Sequence, residues 1–390
     1  MRALGLMSGT SLDGIDAAVV ALVPRGAGYA LDLVRFRSEP FTAPMRERLR
    51  AALPPNAATP AEIAALDAAL GDLFAVTAQR AAAGLAVDYV ASHGLTLFHR
   101  GEAGQTFQIG DPYRVRDALG ASVVFDFRRA DCALGGNGAP LVPYVDALLF
   151  GSSERDTVAL NLGGIANVTV LPRGSAPLEA RAWDTGPGNM LIDGFVAGRT
   201  GGAESFDRDG AYAARGTPNP AVVAELIARD AFYLALPPPK STGRERFGQG
   251  LLEAAADLFA PVSLEDGCAT LCAFTVATIC DSLKNYGPAE ALVIASGGGT
   301  HNAALMSMLA ARLGGTGCRL ETSDLHGVAA DAKEALAFAV LGYETLRGRP
   351  ASLPGATGAS RPALLGAIAP FGLEGLLAKI RAEVAANEAG

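Results

Sequence analysis

The chain has 390 residues, half of them hydrophobic and 18% charged, with a net charge of -8 and a sequence pI of about 5.2. At roughly 150 residues per domain this predicts two or three domains with sizeable cores and excludes a largely disordered protein. The acidic balance, with no basic run, excludes a nucleic-acid partner, so a bound phosphate must be met by local backbone amides and a cation.

Residues 3–7 read as a buried strand, residues 8–14 as a polar, glycine-bearing tip and residues 15–23 as the return strand of a hairpin. Ser8, Gly9, Thr10 and Asp13 interrupt this apolar start, which argues against a signal peptide. Thr59-Pro60-Ala61-Glu62 is a capping box with proline at the first helical position, predicting a helix to about residue 83. A strand over 87–91 should end at Ser92-His93-Gly94, and another over 121–125 at Asp126-Phe127-Arg128-Arg129. The opening pattern then returns: a strand over 157–162, a glycine turn, and a strand over 168–171. That recurrence predicts a duplicated domain, with a first lobe over 1–153 and a second over 154–390, each carrying its own phosphate hairpin. Further on, a long apolar helix is expected over 264–285, a strand over 291–295, a helix from about Asn302 and another over 331–347. The uncharged run 291–311 is broken by three glycines, unlike a membrane span. Five cysteines without metal-type spacing fit a reducing cytoplasm, with Cys268, Cys272 and Cys280 as core thiols on one helix face.

Three glycine turns follow apolar strands, where outward backbone amides can cradle phosphate. The first comprises Gly9, Thr10, Ser11, Leu12, Asp13, Gly14, Ile15 and Asp16; the second is centred on Gly163 and Gly164; the third contains Gly297, Gly298 and Gly299. Asp13 beside phosphate makes sense with Mg2+ between them, which makes it the candidate metal ligand. The triple glycine suits a flat adenosine lying against backbone. Each turn alone also reads as an ordinary polar turn. None matches the Walker phosphate loop or the dinucleotide fingerprint. Together they look like the α/β, two-lobed actin/hexokinase/Hsp70-like ATPase fold with duplicated domains.

For acid–base chemistry, Asp184 opens the stiff turn Asp184-Thr185-Gly186-Pro187-Gly188-Asn189, and a helix should follow from Asn189. Glu334 sits in an alanine-rich helix, where the bland reading is a solvated glutamate. His93 is a candidate for sugar hydroxyls and Arg128, with Arg129, for an anionic group. Four scattered histidines argue against a zinc site.

These segments, with Gln108-Ile109-Gly110-Asp111-Pro112, residues 135–143 (Gly-Gly-Asn-Gly-Ala-Pro-Leu-Val-Pro), Lys240-Ser241-Thr242-Gly243-Arg244-Glu245 and Glu334-Ala335-Leu336-Ala337-Phe338, resemble the anhydro-N-acetylmuramic acid kinase family in order and over nearly the whole chain. Leu95, Ala130 and Asn137 stand where that family often has Gln, Arg and Gln. The resemblance implies a cytoplasmic homodimer with no membrane partner. It implies ATP- and Mg2+-dependent opening of the 1,6-anhydro ring of anhydro-N-acetylmuramic acid and phosphorylation of O6 in peptidoglycan recycling. It makes Asp184 the base for the attacking water and Glu334 a group that orients it. The residues themselves leave open a kinase of the same fold for another sugar or small acid, a non-catalytic nucleotide binder and a plain glycosidase.

Overall fold

The structure is a computed structural model that describes residues 1–9, 11–25, 28–54 and 56–389. Among these, twelve strands form two sheets. The strands are β1 (Arg2–Ser8), β2 (Gly14–Arg25), β3 (Gly28–Pro40), β4 (Tyr89–Arg100), β5 (Gln105–Ile109), β6 (Ser122–Phe125), β7 (Thr157–Leu162), β8 (Ile165–Leu171), β9 (Arg181–Pro187), β10 (Leu292–Ser296), β11 (Arg319–Thr322) and β12 (Ala367–Ala369). The chain divides into two compact units, one of Met1–Leu149 with Ala332–Gly390 and one of Phe150–Asp331.

Both units repeat one pairing scheme. In the first, β1, β2 and β3 form an antiparallel meander, with β4 parallel to β1 and β6 parallel to β4. In the second, β7, β8 and β9 form the meander, with β10 parallel to β7 and β11 parallel to β10. The duplication expected from the returning hairpin is therefore a duplication of topology, and the fold is of the actin/hexokinase/Hsp70-like class. The first unit adds β5 and β12 at its margins.

The C-terminal segment differs from the expected second lobe over 154–390. The Lys333–Leu346 helix lies on β1, β2 and β4, and β12 pairs with β6, so this segment completes the first unit. The reason is packing. Thirteen of the fourteen residues of that helix are buried, far more than a one-sided amphipathic helix requires, and the sheet of the first unit covers it. Each unit has its own apolar core: Leu4, Leu6, Phe74 and Val90 among others in the first; Leu160, Trp183, Phe274 and Val293 in the second.

Local signals hold where chemistry specifies them. Thr59 and Glu62 form the capping box of the Pro60–Ala82 helix. Ser263 caps the Leu264–Tyr286 helix and Asn302 the Ala303–Gly314 helix. By length and composition Leu264–Tyr286 could cross a membrane; in the structure it is the buried core helix of the second unit. All five cysteines are buried and free.

The Lys333–Leu346 helix also carries Glu344, fully buried, whose carboxyl accepts a hydrogen bond from Tyr144 Oη at 2.8 Å. Burial raises this carboxyl to about 7, against the pull of Arg347 and Arg349. A raised folded pKa gives stability that is complete below the ordinary glutamate range and lost as pH rises through about 7. Glu344→Gln keeps the neutral form at every pH. Its thermal midpoint should therefore exceed that of the wild type more at about pH 8 than at about pH 5. Equal differences at the two pH values would show that Glu344 does not titrate in this window.

Candidate active site

Each unit carries candidate side chains of its own. In the first, the β1–β2 hairpin is shaped from within. Ser8 is buried and its Oγ donates to the Gly14 carbonyl at 2.8 Å, so this hydroxyl closes the turn. Leu12 adopts φ 61° and donates its N–H to Gly9 O at 3.3 Å. The side chains of Leu12 and Ile15 are in the core, which leaves them only backbone to offer a ligand. Gly9, Ser11 and Asp13 form the open part of the tip: a Cβ on Gly9 would meet nothing nearer than Ser11 Oγ at 3.6 Å, and Ser11 and Asp13 are exposed. Gly14 is pinned against the Glu39 carbonyl of β3. Thr10 lies outside the described residues.

His93 does not follow a strand as expected; it lies within β4, which continues to Arg100 because its second half pairs with β5. It is buried, and Arg128 Nε donates to its Nε2 at 3.0 Å. Its proton is therefore on Nδ1, 3.0 Å from the Gly94 carbonyl. Burial first, then the Arg128 charge, hold its pKa well below the usual histidine range, so the ring stays neutral. The ring rests on Phe338 with centroids 4.6 Å apart. Arg128 also donates to Gly138 O at 2.8 Å, and burial lowers its guanidinium to about 10.

Glu334 is exposed, yet its carboxyl is raised. Surrounding protein removes hydration first and Asp16 repels the charge, while Lys333 and Arg128 oppose the shift. Asp16, His93, Arg128 and Glu334 thus form one electrostatic neighbourhood. Sequence reasoning missed Asp131, which is buried and accepts from Gly138 N–H at 2.8 Å and Thr357 Oγ1 at 2.9 Å. It fixes the loop whose carbonyl holds Arg128; the glycine-rich run after it was the available signal. Leu95 is in the core, so it presents no side chain to a ligand. A cavity of about 160 Å³ adjoins His93, lined by Gln108, Asp126 and Arg129 among others.

In the second unit, Asp184 does not open a turn. It lies in the middle of β9, opposite Asn167, where the register shifts between Ala166 and Asn167. Such a bulge re-aims a side chain relative to a regular strand. Thr242 N–H donates to Asp184 Oδ2 at 2.8 Å, Asp184 N–H donates to Lys240 O at 3.0 Å, and Tyr233 Oη donates to Asp184 O at 3.1 Å. Burial raises the Asp184 carboxyl to about 7; the Thr242 amide and Lys240 pull it down, and Glu245 pushes it up. A base poised there is matched to proton abstraction near neutral pH.

The glycine turns of this unit meet one another. Gly188 N–H donates to Gly164 O at 2.9 Å and Asn189 N–H to Gly163 O at 2.8 Å. A Cβ on Gly297 would come 2.7 Å from Asn161 Oδ1, and one on Gly299 2.6 Å from Leu162 Cβ. Two of the three glycines expected to lie against adenosine are therefore needed for packing against the β7–β8 hairpin. Gly298 is the one with open space around it. Among the described residues no cluster of three His, Cys, Asp or Glu side chains could hold a metal.

The model of the anhydro-N-acetylmuramic acid kinase family matches residues 1–371. The chain belongs to that family. An anhydro-N-acetylmuramic acid kinase of Streptomyces avermitilis is 45% identical over 98% of this chain and 98% of its own. One of Rhodococcus erythropolis is 44% identical over 95% and 94%, and one of Synechococcus elongatus 40% over 94% and 98%. Among solved structures, a ROK family glucokinase from Streptomyces griseus in complex with glucose and AMPPNP is similar at 12% identity and TM-score 0.37, covering 87% of this chain and 98% of its own. The repeated strand scheme shows the fold and the sequence matches show the family.

Proposed function

We propose that the protein uses ATP to convert 1,6-anhydro-N-acetylmuramic acid into N-acetylmuramic acid 6-phosphate, opening the anhydro ring in the same reaction. The observation that carries this, given the family, is the clamped Asp184 carboxyl held near 7. Asp184 takes a proton from water as the water oxygen bonds to C1. The C1–O6 bond breaks and its electrons pass to O6. O6 attacks the γ-phosphorus, and the bond from that phosphorus to the bridging oxygen breaks, releasing ADP. No separate acid is required for the leaving oxygen, because it becomes the phosphoryl acceptor. Glu334 is assigned to orienting a water, and His93 and Arg128 to the sugar.

We assign phosphate binding to the backbone of residues 9–16 and of Gly163 and Gly164, with Gly298 the adenosine-facing member of the third turn. Asp13 would hold Mg2+, which when bound offsets charge on the β- and γ-phosphates. A cytoplasmic homodimer remains the proposed setting, with no nucleic-acid or membrane partner.

The test is to supply ATP, Mg2+ and the anhydro sugar in 18O-labelled water and weigh the product. A sugar phosphate with the label at C1 is expected. Unlabelled product would overturn the water attack. ATP binding without any sugar phosphate would shift the reading to another substrate of the same fold.

A further inference from the structure

The segment over residues 240–245 meets Asp184 at the Lys240 carbonyl and the Thr242 amide and brings charges of both signs near it. We propose that this segment positions the Asp184 carboxylate, with Lys240 as the positioning residue that anchors it. The inference rests on Asp184 being the base of the proposed reaction.

The segment grips Asp184 twice, through its main-chain N–H to Lys240 O and through its carboxylate to Thr242 N–H. Lys240 fastens the segment. Its Nζ donates to Tyr233 O at 3.2 Å and Leu234 O at 3.0 Å, carbonyls of the short Ala231–Ala235 helix. The same ammonium lies 4.8 Å from the centroid of the Tyr233 ring and 6.0 Å from that of Tyr286. Tyr233 in turn donates to the Asp184 carbonyl. Lys240 thus directs its hydrogen bonds to carbonyls and acts on the carboxylate through its field and through the segment it anchors. The Glu245 carboxylate folds back over Gly243, where a Cβ would overlap it. Arg246 and Asp230, paired with each other, lie next to Tyr233.

Removing either charge should move Asp184 in a known direction. Asp184 must be ionised to act, so the acidic limb of the kcat/KM profile follows its pKa. Without the Lys240 charge the carboxyl rises; without the Glu245 charge it falls. Lys240→Met is expected to move the limb up by roughly 0.5–1 pH unit, and Glu245→Gln down by a similar amount, the scale of one nearby, partly screened charge. Lys240→Arg, which keeps the charge and can donate to the same carbonyls, should restore the wild-type limb.

Thermal melts and nucleotide binding establish which variants fold. Should Lys240→Met fail to fold, Lys240→Gln takes its place. Limbs unmoved in the folded variants would overturn the proposal. A 13C titration of the Asp184 carboxyl, assigned by its disappearance in Asp184→Asn, reads the same shifts without turnover. If the anhydro sugar is not a substrate, the proposed function fails while these shifts still report on the segment.

Discussion

Asp184→Asn is expected to lower kcat by roughly 10²-fold or more, the scale of a lost general base, while ATP binding stays near the wild-type value. The amide is nearly isosteric with the carboxylate. Its oxygen can still accept from the Thr242 N–H, and the bonds from Asp184 N–H to Lys240 O and from Tyr233 Oη to Asp184 O involve no side-chain atom of Asp184. What disappears is a site that can take a proton. Single-turnover phosphorylation of the anhydro sugar, beside ATP affinity from a fluorescent analogue, separates the two effects. Full activity in the variant would remove Asp184 from the mechanism. A parallel loss of ATP affinity would make it a structural residue of β9.

Gly5→Ala should be the most damaging single methyl in the first unit. At Gly5, β1 touches the Lys333–Leu346 helix so closely that a Cβ would overlap the Ala335 carbonyl oxygen and come within 3.1 Å of the Ala339 nitrogen. Backbone on both sides gives no flexible tip to move aside, so strand and helix must separate. Overpacking of this kind costs about 1–3 kcal/mol, and rigid backbone places this case at or above the upper end. Chemical denaturation should show the loss as a lower midpoint. Activity should fall as well, because Glu334 immediately precedes the residue that is pushed. A midpoint equal to the wild type would mean that the helix does not pack this closely.

The repeated hairpins were readable because strand, glycine tip and strand form a local pattern, and local patterns survive in a single sequence. So were the Thr59 capping box and the buried character of Leu264–Tyr286. What escaped was non-local. β12 is three residues long and has no pattern of its own; it exists because β6 offers an edge. β9 looked like a turn because Gly186 and Pro187 read as turn residues, yet antiparallel pairing with β8 holds them extended. Among the candidate residues, Asp184 and Glu334 stood out by residue type. Lys240 did not, because its role depends on the Tyr233 ring and on carbonyls brought to it by folding. The third glycine turn carries a packing demand that the sequence alone did not show, since Gly297 and Gly299 lie close against the neighbouring hairpin.

The assignment of the last segment to the first unit has a consequence for synthesis. Residues 150–331 form a contiguous stretch and are complete once residue 331 has left the ribosome. The first unit begins earlier but must wait for the Lys333–Leu346 helix to cover its central strands and for β12 to close its margin. The half made second should therefore mature first, leaving the opening strands, exposed for longest, as the stretch most in need of a chaperone.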